Sequence, residues 1–384
     1  MYLIFIINFL LAVSTTVGMT VIPFLVTDSL GLSLLVLGLI EGSTEFISNV
    51  IRLGNGILFD KVKNKRMIFA MATGIAFVTK LLLLAPNVLT VTLSKTLERV
   101  ANGAFASPRD AYVAEKAKNK GLALGLLGFS KSAGCILGPL LVSLSVHIFG
   151  DFISNMKLLI AFCCSIVAIG FFCSFFLEIK YLKTTEFSFE EFKDTFKKIN
   201  LELVLIFLYF IGRFNDGFLM IYLKNQGFPY EFCLSTIAVF NSIMLISSPI
   251  IGSKIDQGYL KQCLYVSIGS LILFNCVFYN LSGLNWVMAI LGLISWGIQR
   301  SGSQIVFASL VFKQVSKSSY GTAIGIYYLV SGFSTFLASL LCGYLTKYGF
   351  KLVFLVSGSF AMIAMLAANY ILNKNCSIDP LKAS

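Results

Sequence analysis

Charged side chains inside otherwise apolar stretches are the residues of this 384-residue sequence whose chemistry stands out. A charge at the middle of a lipid bilayer costs roughly 2.5–3.5 kcal/mol on insertion scales, so such side chains must pair, reach the membrane surface or line water. Seven are basic and four are acidic: Arg52, Lys80, Lys95, Arg99, Lys131, Arg213 and Arg300, against Glu41, Glu45, Glu98 and Asp216.

The basic surplus predicts a binding site for an anionic or zwitterionic small molecule. We expect Arg99, Lys131 and Arg300 to contact this ligand, with Arg213 as a fourth candidate. Permanent structural ion pairs are the alternative for all of these charges, and the sequence leaves that alternative open.

Two of the acidic residues are predicted to carry protons. Burial disfavours the charged form of a carboxyl, so a carboxyl inside a membrane can load and release a proton near neutral pH. Glu45 and Asp216 are the candidates for this coupling. Arg213 and Asp216, three residues apart, are expected to share one helix face.

The composition predicts that membrane-spanning helices position these charges. The chain is 57% hydrophobic and only 12% charged, with a mean hydropathy of +0.86, whereas soluble domains carry about 25% charged residues. Runs of about 20 apolar residues can cross a bilayer as helices. We therefore predict an all-α membrane protein with twelve spans, at 2–26, 35–59, 67–87, 88–113, 121–149, 153–178, 201–224, 230–253, 259–281, 284–312, 320–346 and 350–373.

The distribution of basic residues predicts the orientation of these spans. With both termini in the cytoplasm, nineteen Lys and Arg residues fall in inner segments and only Lys224, Lys347 and Lys351 fall in outer loops. Cytoplasmic loops carry such an excess of positive charge. The net charge of +12 is thus explained by topology, and no nucleic acid partner is expected. The apolar start, without a basic n-region or cleavage site, is interpreted as a retained first span.

The two halves of the sequence repeat each other. Gly56 and Asp60 correspond to Gly252 and Asp256 at an offset of 196, and Arg99 corresponds to Arg300 at an offset of 201. Matches in the same order indicate two six-helix bundles that arose by duplication. The predicted domains are 1–178, a cytoplasmic linker at 179–200, and 201–384.

The linker contains a short amphipathic pattern. Ser188 and Glu191 have the spacing of a capping box, and four apolar residues would line one face of a helix. They are Phe189, Phe192, Phe196 and Ile199. We expect this helix to lie flat on the inner leaflet, with a solvated linker as the alternative.

The stretch "GILFDKVKNKR" at 56–66 predicts a latch between helix ends. A carboxylate at Asp60 can meet the positive end of a neighbouring helix, while lysines remain in headgroup water. Further residues share this predicted gating role: Gly56, Lys61, Lys65, Arg109, Asp110, Gly252 and Asp256. A purely topogenic charge run is the alternative.

These motifs resemble those of the major facilitator superfamily. "GILFDKVKNKR" is similar to the family's loop motif between spans two and three, except that Lys63 replaces its second glycine. "RVANGAFASPRDA" resembles the span-four signature, and "GCILGPL", with Gly134, Gly138 and Pro139, resembles the span-five motif. A bacterial branch of drug-efflux-like permeases with a "PRDA" block is the most similar. The resemblance implies the two-bundle fold of that superfamily and a place in the bacterial inner membrane.

Glycines four residues apart also let helices approach closely. Gly134 and Gly138 are therefore predicted to pack against a neighbouring helix, and Pro139 to bend the fifth span because it removes a helical hydrogen bond.

Several classes of protein are disfavoured by missing motifs. The sequence has no phosphate-binding cradle and no hydrolase motif. Its single His147 and its cysteines form no metal-ligand pattern. We therefore expect no enzyme activity, no cofactor and no metal site.

The predicted function is secondary active transport of a small solute, an organic anion or amphoteric metabolite, by alternating access. Protons are the expected coupling ion, the lipid bilayer is the expected surroundings, and the protein is expected to be a monomer. Efflux of lipophilic drugs by proton antiport is one alternative. A non-transporting sensor or scaffold with the same fold is the other.

Overall fold

A computed structural model describes the backbone of residues 2–61, 65–116, 120–149, 152–177, 189–315 and 320–378. It describes their side chains except at 52–61, 65, 107–108, 110–116, 120–125, 149, 152–155, 189–191, 320–322, 324 and 373–378. These residues form α-helices joined by short turns, and no β-strand occurs among them.

Fourteen α-helices occur in the described residues. They are α1 (Tyr2–Phe24), α2 (Leu34–Lys61), α3 (Lys65–Leu82), α4 (Val88–Lys116), α5 (Lys120–Phe149), α6 (Phe152–Ser174), α7 (Phe189–Lys198), α8 (Asn200–Ile211), α9 (Asp216–Asn225), α10 (Tyr230–Asp256), α11 (Leu260–Asn280), α12 (Trp286–Lys313), α13 (Tyr320–Leu345) and α14 (Phe350–Ile378). A π-helical turn, Leu25–Ser29, continues α1, and a 3-10 turn, Thr346–Tyr348, follows α13.

Nine candidate membrane spans are found in the described part of the chain, with α8 and α9 counted as one. They include α1, α2, α5, α6, α10, α11, α13 and α14. The helices α3, α4 and α12 are 18, 29 and 28 residues long but are not among them. Polar side chains explain the difference for two of these helices. Helix α4 carries Lys95, Glu98 and Arg99, and helix α12 carries Gln299 and Arg300.

The chain divides into two compact units. Unit 1 contains residues 1–187 and 216–242, and unit 2 contains residues 188–215 and 243–384. Segment 216–242 is thus grouped with the N-terminal helices, whereas the sequence boundaries at 178 and 200 place it in the C-terminal half. Those boundaries stay a prediction.

The centre of unit 1 is α1, which packs against α5 and α6 and also contacts α9. Helix α4 packs against both α2 and α3. Fully buried Ile4, Ile7, Phe69 and Val167 belong to one apolar cluster that joins α1, α3 and α6. This cluster holds α3 and α4 in fixed positions relative to α1.

Unit 2 has a core of aromatic side chains. The rings of Phe214 and Trp296 stack with centroids 5.4 Å apart, and Phe274 lies 4.5 Å from Trp296. Helix α12 approaches α11 so closely that a Cβ at Gly292 would lie 1.7 Å from the Phe278 ring. Only glycine fits at this position, so α11 and α12 pack closely here.

The short helix α7 lies in the segment where the amphipathic pattern occurs. Thr195 and Ile199 are buried and α7 packs against α13, but Phe196 is 45% exposed. That the four apolar residues of this segment line one face of the helix stays a prediction. The position of α7 at the inner leaflet stays a prediction.

Candidate functional site

Three ion pairs connect α2, α3 and α4 inside unit 1. Glu41 and Glu45 are four residues apart on α2, and Lys95 and Arg99 are four apart on α4, so each pair of side chains lies on one helix face. Glu98 of α4 reaches α3 instead. We call these six side chains the charge ladder; its three ion pairs are Lys95–Glu41, Arg99–Glu45 and Lys80–Glu98. The Lys95 Nζ atom lies 2.5 Å from the Glu41 Oε1 atom, and the Arg99 Nη1 atom lies 3.3 Å from the Glu45 Oε2 atom.

The three pairs differ in exposure. The side chains of Lys80 and Glu98 are 3% and 4% exposed, and those of Lys95 and Glu41 are 1% and 2% exposed. In contrast, Arg99 and Glu45 are 13% and 27% exposed. Two pairs are therefore sealed inside the protein, and the third remains open.

Gly18 of α1 helps to seal the Lys80–Glu98 pair. A Cβ at Gly18 would lie 3.3 Å from the Lys80 Nζ atom and 3.5 Å from the Glu98 Oε2 atom. Helix α1 thus passes directly over the pair. Burial of both charges is tolerated because each neutralises the other.

Asp216 belongs to the same charged region of unit 1. It is buried in the first turn of α9. Its charge acts on the Arg99 guanidinium together with those of Glu45, Glu41 and Glu98. Unit 1 therefore brings three of the predicted site residues, Arg99, Glu45 and Asp216, into one electrostatic neighbourhood.

The seventh span is broken where a continuous helix was expected. Helix α8 ends at Ile211 and α9 begins at Asp216. The prediction that Arg213 and Asp216 share a helix face is therefore wrong, since α8 ends before Arg213, which lies in the break. The Ser357 hydroxyl donates to the Gly212 carbonyl at this break, and a Cβ at Gly212 would lie 3.0 Å from the Ser357 carbonyl oxygen. Irregular backbone at membrane depth is tolerated when protein satisfies it in this way.

Arg213 and Arg300 are both half-buried residues of unit 2. Arg213 lies over the Phe210 ring at 5.5 Å. The charges of both arginines act on the buried Tyr209 hydroxyl, which donates to the Gln299 Oε1 atom at 2.8 Å. Tyr209 and Gln299 were not identified from the sequence. The only sequence signal was the polar pair formed by Gln299 and Arg300 within a predicted span.

The remaining predicted ligand contact and the latch lie elsewhere. Lys131 is exposed on α5. Arg109 donates to the Asn8 Oδ1 atom of α1 at 2.7 Å. Gly252 and Asp256 lie in the last two turns of α10, where Asp256 is exposed. The other latch side chains lie outside the described residues: Gly56, Asp60, Lys61, Lys65 and Asp110.

The glycines of α5 lie against α1. A Cβ at Gly134 would lie 2.7 Å from the Ala12 Cβ atom, and one at Gly138 would lie 2.3 Å from the Thr16 Oγ1 atom. The Thr16 hydroxyl also donates to the Gly134 carbonyl at 3.2 Å. Pro139 lies inside α5. This tight contact fixes α1 next to the charge ladder.

Comparison with known proteins decides the family. The sequence pattern of the Major Facilitator Superfamily matches residues 4–339. The chain belongs to the Major Facilitator Superfamily. An uncharacterized MFS-type transporter of Methanocaldococcus jannaschii is 27% identical over 386 residues, which cover 96% of this chain and 94% of the relative. The chain is thus a multi-pass, non-enzymatic membrane transport protein.

Solved structures show the same superfamily fold. The nucleoside transporter NupG has a TM-score of 0.81 at 16% identity, covering 96% of this chain and 98% of its own. A POT family transporter in complex with a thioalcohol-conjugated peptide has a TM-score of 0.81 at 12% identity, covering 98% of this chain and 96% of its own. At these identities the likeness concerns the fold alone. In the described part of this MFS protein, no cluster of three His, Cys, Asp or Glu residues could hold a metal ion.

Proposed function

We propose that this protein moves a small amphoteric or anionic metabolite across the cell membrane by alternating access, coupled to protons. Twelve spans in two six-helix bundles, with both termini in the cytoplasm, are part of this proposal. The nine apolar spans support it, and α3, α4 and α12, which are 18, 29 and 28 residues long, are the other three spans of the proposal. We expect the protein to act as a monomer in the bacterial inner membrane.

The open Arg99–Glu45 pair is the observation that carries the proposal. A sealed pair cannot exchange its partner, because an unpaired charge would be left buried. The Arg99–Glu45 pair is partly exposed, so protonation of Glu45 can release the guanidinium at lower cost than in a sealed pair. Arg99 can then bind an anionic group of the solute, and loss of the proton restores the ion pair. Asp216 is a second proton carrier in the same neighbourhood.

The charges favour an amphoteric solute over a simple anion. The charge ladder is neutral as a whole, and Asp216 adds a fourth carboxylate to unit 1. Of the seven basic residues predicted inside spans, Arg52, Lys131, Arg213 and Arg300 lie outside the ladder, so the basic surplus depends on these four. We therefore expect the solute to carry both a carboxylate and an amine.

A two-stage experiment tests this function. Purified protein is first melted with a panel of organic anions, zwitterions and lipophilic cations. A ligand at about 100 times its Kd stabilises the folded protein by about 2.7 kcal/mol. The solute that raises Tm in the parent, and not in Arg99→Ala, is then taken up into proteoliposomes under an imposed pH gradient.

Matched variants identify the proton carriers in the second stage. We expect Glu45→Gln and Asp216→Asn to lose pH-driven uptake while they still bind the solute. Asp194→Asn is the control, because Asp194 forms an exposed ion pair with Lys198 on α7 at 2.7 Å. Full pH-driven uptake by both site variants would refute the coupling assignment.

Proton-coupled efflux of lipophilic compounds is the second candidate function. The Asp216 carboxylate, whose charge acts on Arg99, would suit a cationic drug. The "PRDA" block at 108–111 resembles the block found in a drug-efflux-like branch of the superfamily. In this case only lipophilic cations raise Tm, and Arg99→Ala leaves that stabilisation unchanged. Asp216→Asn then abolishes it.

A further inference from the structure

Two lysines and three tyrosines lie at one end of unit 2. Lys347 is part of the 3-10 turn that follows α13, and Lys351 is part of the first turn of α14. The Lys347 ammonium lies 5.6 Å from the Tyr344 ring, and the Lys351 ammonium lies 5.9 Å from the Tyr279 ring of α11. The hydroxyl oxygens of Tyr344 and Tyr348 lie 3.2 Å apart. We call these five side chains the basic–aromatic patch.

All five side chains of the patch are exposed. The exposed fractions of the tyrosines are 38% at Tyr279, 47% at Tyr344 and 66% at Tyr348, and both lysines are exposed as well. The chain turns between the lysines at Gly349, whose φ of 110° favours glycine. The patch is therefore accessible to another molecule.

The two lysines have no carboxylate to neutralise them. Residues 257–378 contain seven Lys and Arg residues and no Asp or Glu. Neither Lys347 nor Lys351 forms an ion pair within the described part of the chain. Acidic residues are favoured in the first turn of a helix, where the dipole is positive, but the first turn of α14 carries Lys351 and no acidic residue. These positive charges add to one another, so they favour an anion supplied from outside the chain.

The patch lies where three candidate membrane spans end. These spans are Leu260–Asn280, Gly325–Tyr348 and Phe350–Leu372. Exposed tyrosines and lysines at such a boundary reach the level of the lipid headgroups. In the predicted topology, Lys347 and Lys351 are two of the three basic residues of the outer loops, so the boundary belongs to the outer leaflet.

An apolar stripe continues from Lys351 along α14. Leu355, Met362 and Leu366 are 51%, 53% and 71% exposed. Their spacing from Lys351 places all four side chains on one face of the helix. At the helical rise per residue, Lys351 and Met362 are about 16 Å apart along the axis, which is close to half of a bilayer core about 30 Å thick. This face therefore matches a phospholipid, with charge at one end and an apolar length of one leaflet.

We propose that the basic–aromatic patch binds the phosphate of an anionic phospholipid, whose acyl chains lie along the stripe of α14. Lys347 and Lys351 bind the phosphate oxygens as point charges, and the hydroxyls of Tyr344 and Tyr348 donate to oxygens of the headgroup. The lipid thus supplies the counterion that residues 257–378 lack. This binding is separate from transport and requires no solute.

The two charges determine how selective the patch should be. A lysine near an anionic membrane surface raises the affinity about fivefold. Two lysines should therefore favour phosphatidylglycerol over phosphatidylcholine by about 25-fold. Phosphatidylcholine with the same acyl chains is the matched reference lipid, because it has the same phosphate but also carries a cation that cancels the charge.

Native mass spectrometry of the purified protein measures this selectivity. Each lipid is added in increasing amounts to the protein in detergent, and the fraction with one bound lipid gives the Kd. We expect Lys347→Gln and Lys351→Gln each to weaken phosphatidylglycerol binding about fivefold, and the double variant to lose the preference over phosphatidylcholine. Lys351→Arg should keep the preference, because it keeps the charge.

Variants elsewhere separate the patch from a general effect of charge. Lys198→Gln is the matched control: Lys198 is also exposed, but it already has a counterion in Asp194 at 2.7 Å, so the variant should bind phosphatidylglycerol like the parent. Leu355→Asn shortens the apolar stripe, so it should weaken both lipids alike and leave their ratio unchanged. Tyr279→Leu should weaken binding less than Lys351→Gln, because the ring only orients the ammonium.

Several results would overturn the proposal. The parent could bind both lipids equally, the double lysine variant could bind phosphatidylglycerol as tightly as the parent, or Lys198→Gln could lose as much affinity as Lys351→Gln. Displacement of phosphatidylglycerol by millimolar inorganic phosphate would assign the patch to a free anion instead of a lipid. Should the double variant not fold, as judged by size-exclusion chromatography, the single variants and Lys351→Arg decide the result. None of these outcomes bears on the transport proposal, since no solute is present.

Discussion

The sealed Lys80–Glu98 pair makes a quantitative prediction about stability. Both side chains are at most 4% exposed, so removing one charge leaves the other buried without a partner. The loss of one member of a buried pair typically costs about 3–5 kcal/mol, whereas replacing both members by apolar residues is often neutral. We therefore expect Lys80→Met and Glu98→Leu each to lower the free energy of unfolding by about 3–5 kcal/mol, and the double variant to approach the parent.

A double-mutant cycle measures this coupling. The free energy of unfolding is obtained by SDS titration of the purified protein in dodecylmaltoside micelles for the parent, both single variants and the double variant. The sealed Lys95–Glu41 pair, treated in the same way, should behave alike. Asp194→Asn serves as the control, because an exposed pair at this helical spacing contributes only about 0.3–0.5 kcal/mol.

The cycle also separates structural from functional charges. The double variant at Lys80 and Glu98 should keep pH-driven uptake, because neither side chain contacts water or solute. Glu45→Gln should cost little stability and lose the uptake, because its pair is open. Additive losses in the Lys80–Glu98 cycle, or single variants as stable as the parent, would refute the assignment of this pair as a sealed structural pair.

Three further predictions concern close helix contacts. Gly138→Ala should lower the free energy of unfolding by about 1–3 kcal/mol, because its Cβ would lie 2.3 Å from an α1 side chain. Gly128→Ala on the same helix is the control: its Cβ would meet nothing within 4 Å, so the free energy of unfolding should not fall. Gly292→Ala should destabilise unit 2 because its Cβ would overlap the Phe278 ring, and Phe278→Leu should recover part of the loss in SDS titration. Ser357→Ala should cost about 1 kcal/mol, since it leaves the carbonyl at the break of the seventh span without its donor.

Helix positions were largely predictable from the sequence. Runs of about 20 apolar residues can be recognised from length and composition alone. The predicted spans at 2–26 and 350–373 therefore match α1 and α14 within a few residues. The break between Ile211 and Asp216 was missed because hydropathy averages over a window that spans it. Gly212 and Asn215 are the local signal, but glycine and asparagine also occur in continuous membrane helices.

The site residues were less predictable than the helices. Sequence position indicated that Arg99 and Glu45 lie near mid-span, but nothing in one sequence states which helices touch. Tyr209 and Gln299 were missed for the same reason, since they come together from α8 and α12. The contact between Asp28 and Lys224 requires a pairing across 196 residues, and a count of charges in loops cannot reveal it.

The contact between α2 and α4 nevertheless has a sequence signal in the matching spacing of its charges. Glu41 and Glu45 on α2 and Lys95 and Arg99 on α4 are both four residues apart, so two acidic and two basic side chains can meet in register across one helix interface. Any rotation of α4 that broke one pair would break the other as well. The two sealed pairs therefore fix α4 against α2 and α3, and this fixed helix carries the partly exposed Arg99. A charge that must change partners during transport has to sit on a rigid helix. Because α4 is held in place, protonation of Glu45 releases the Arg99 side chain and does not move α4.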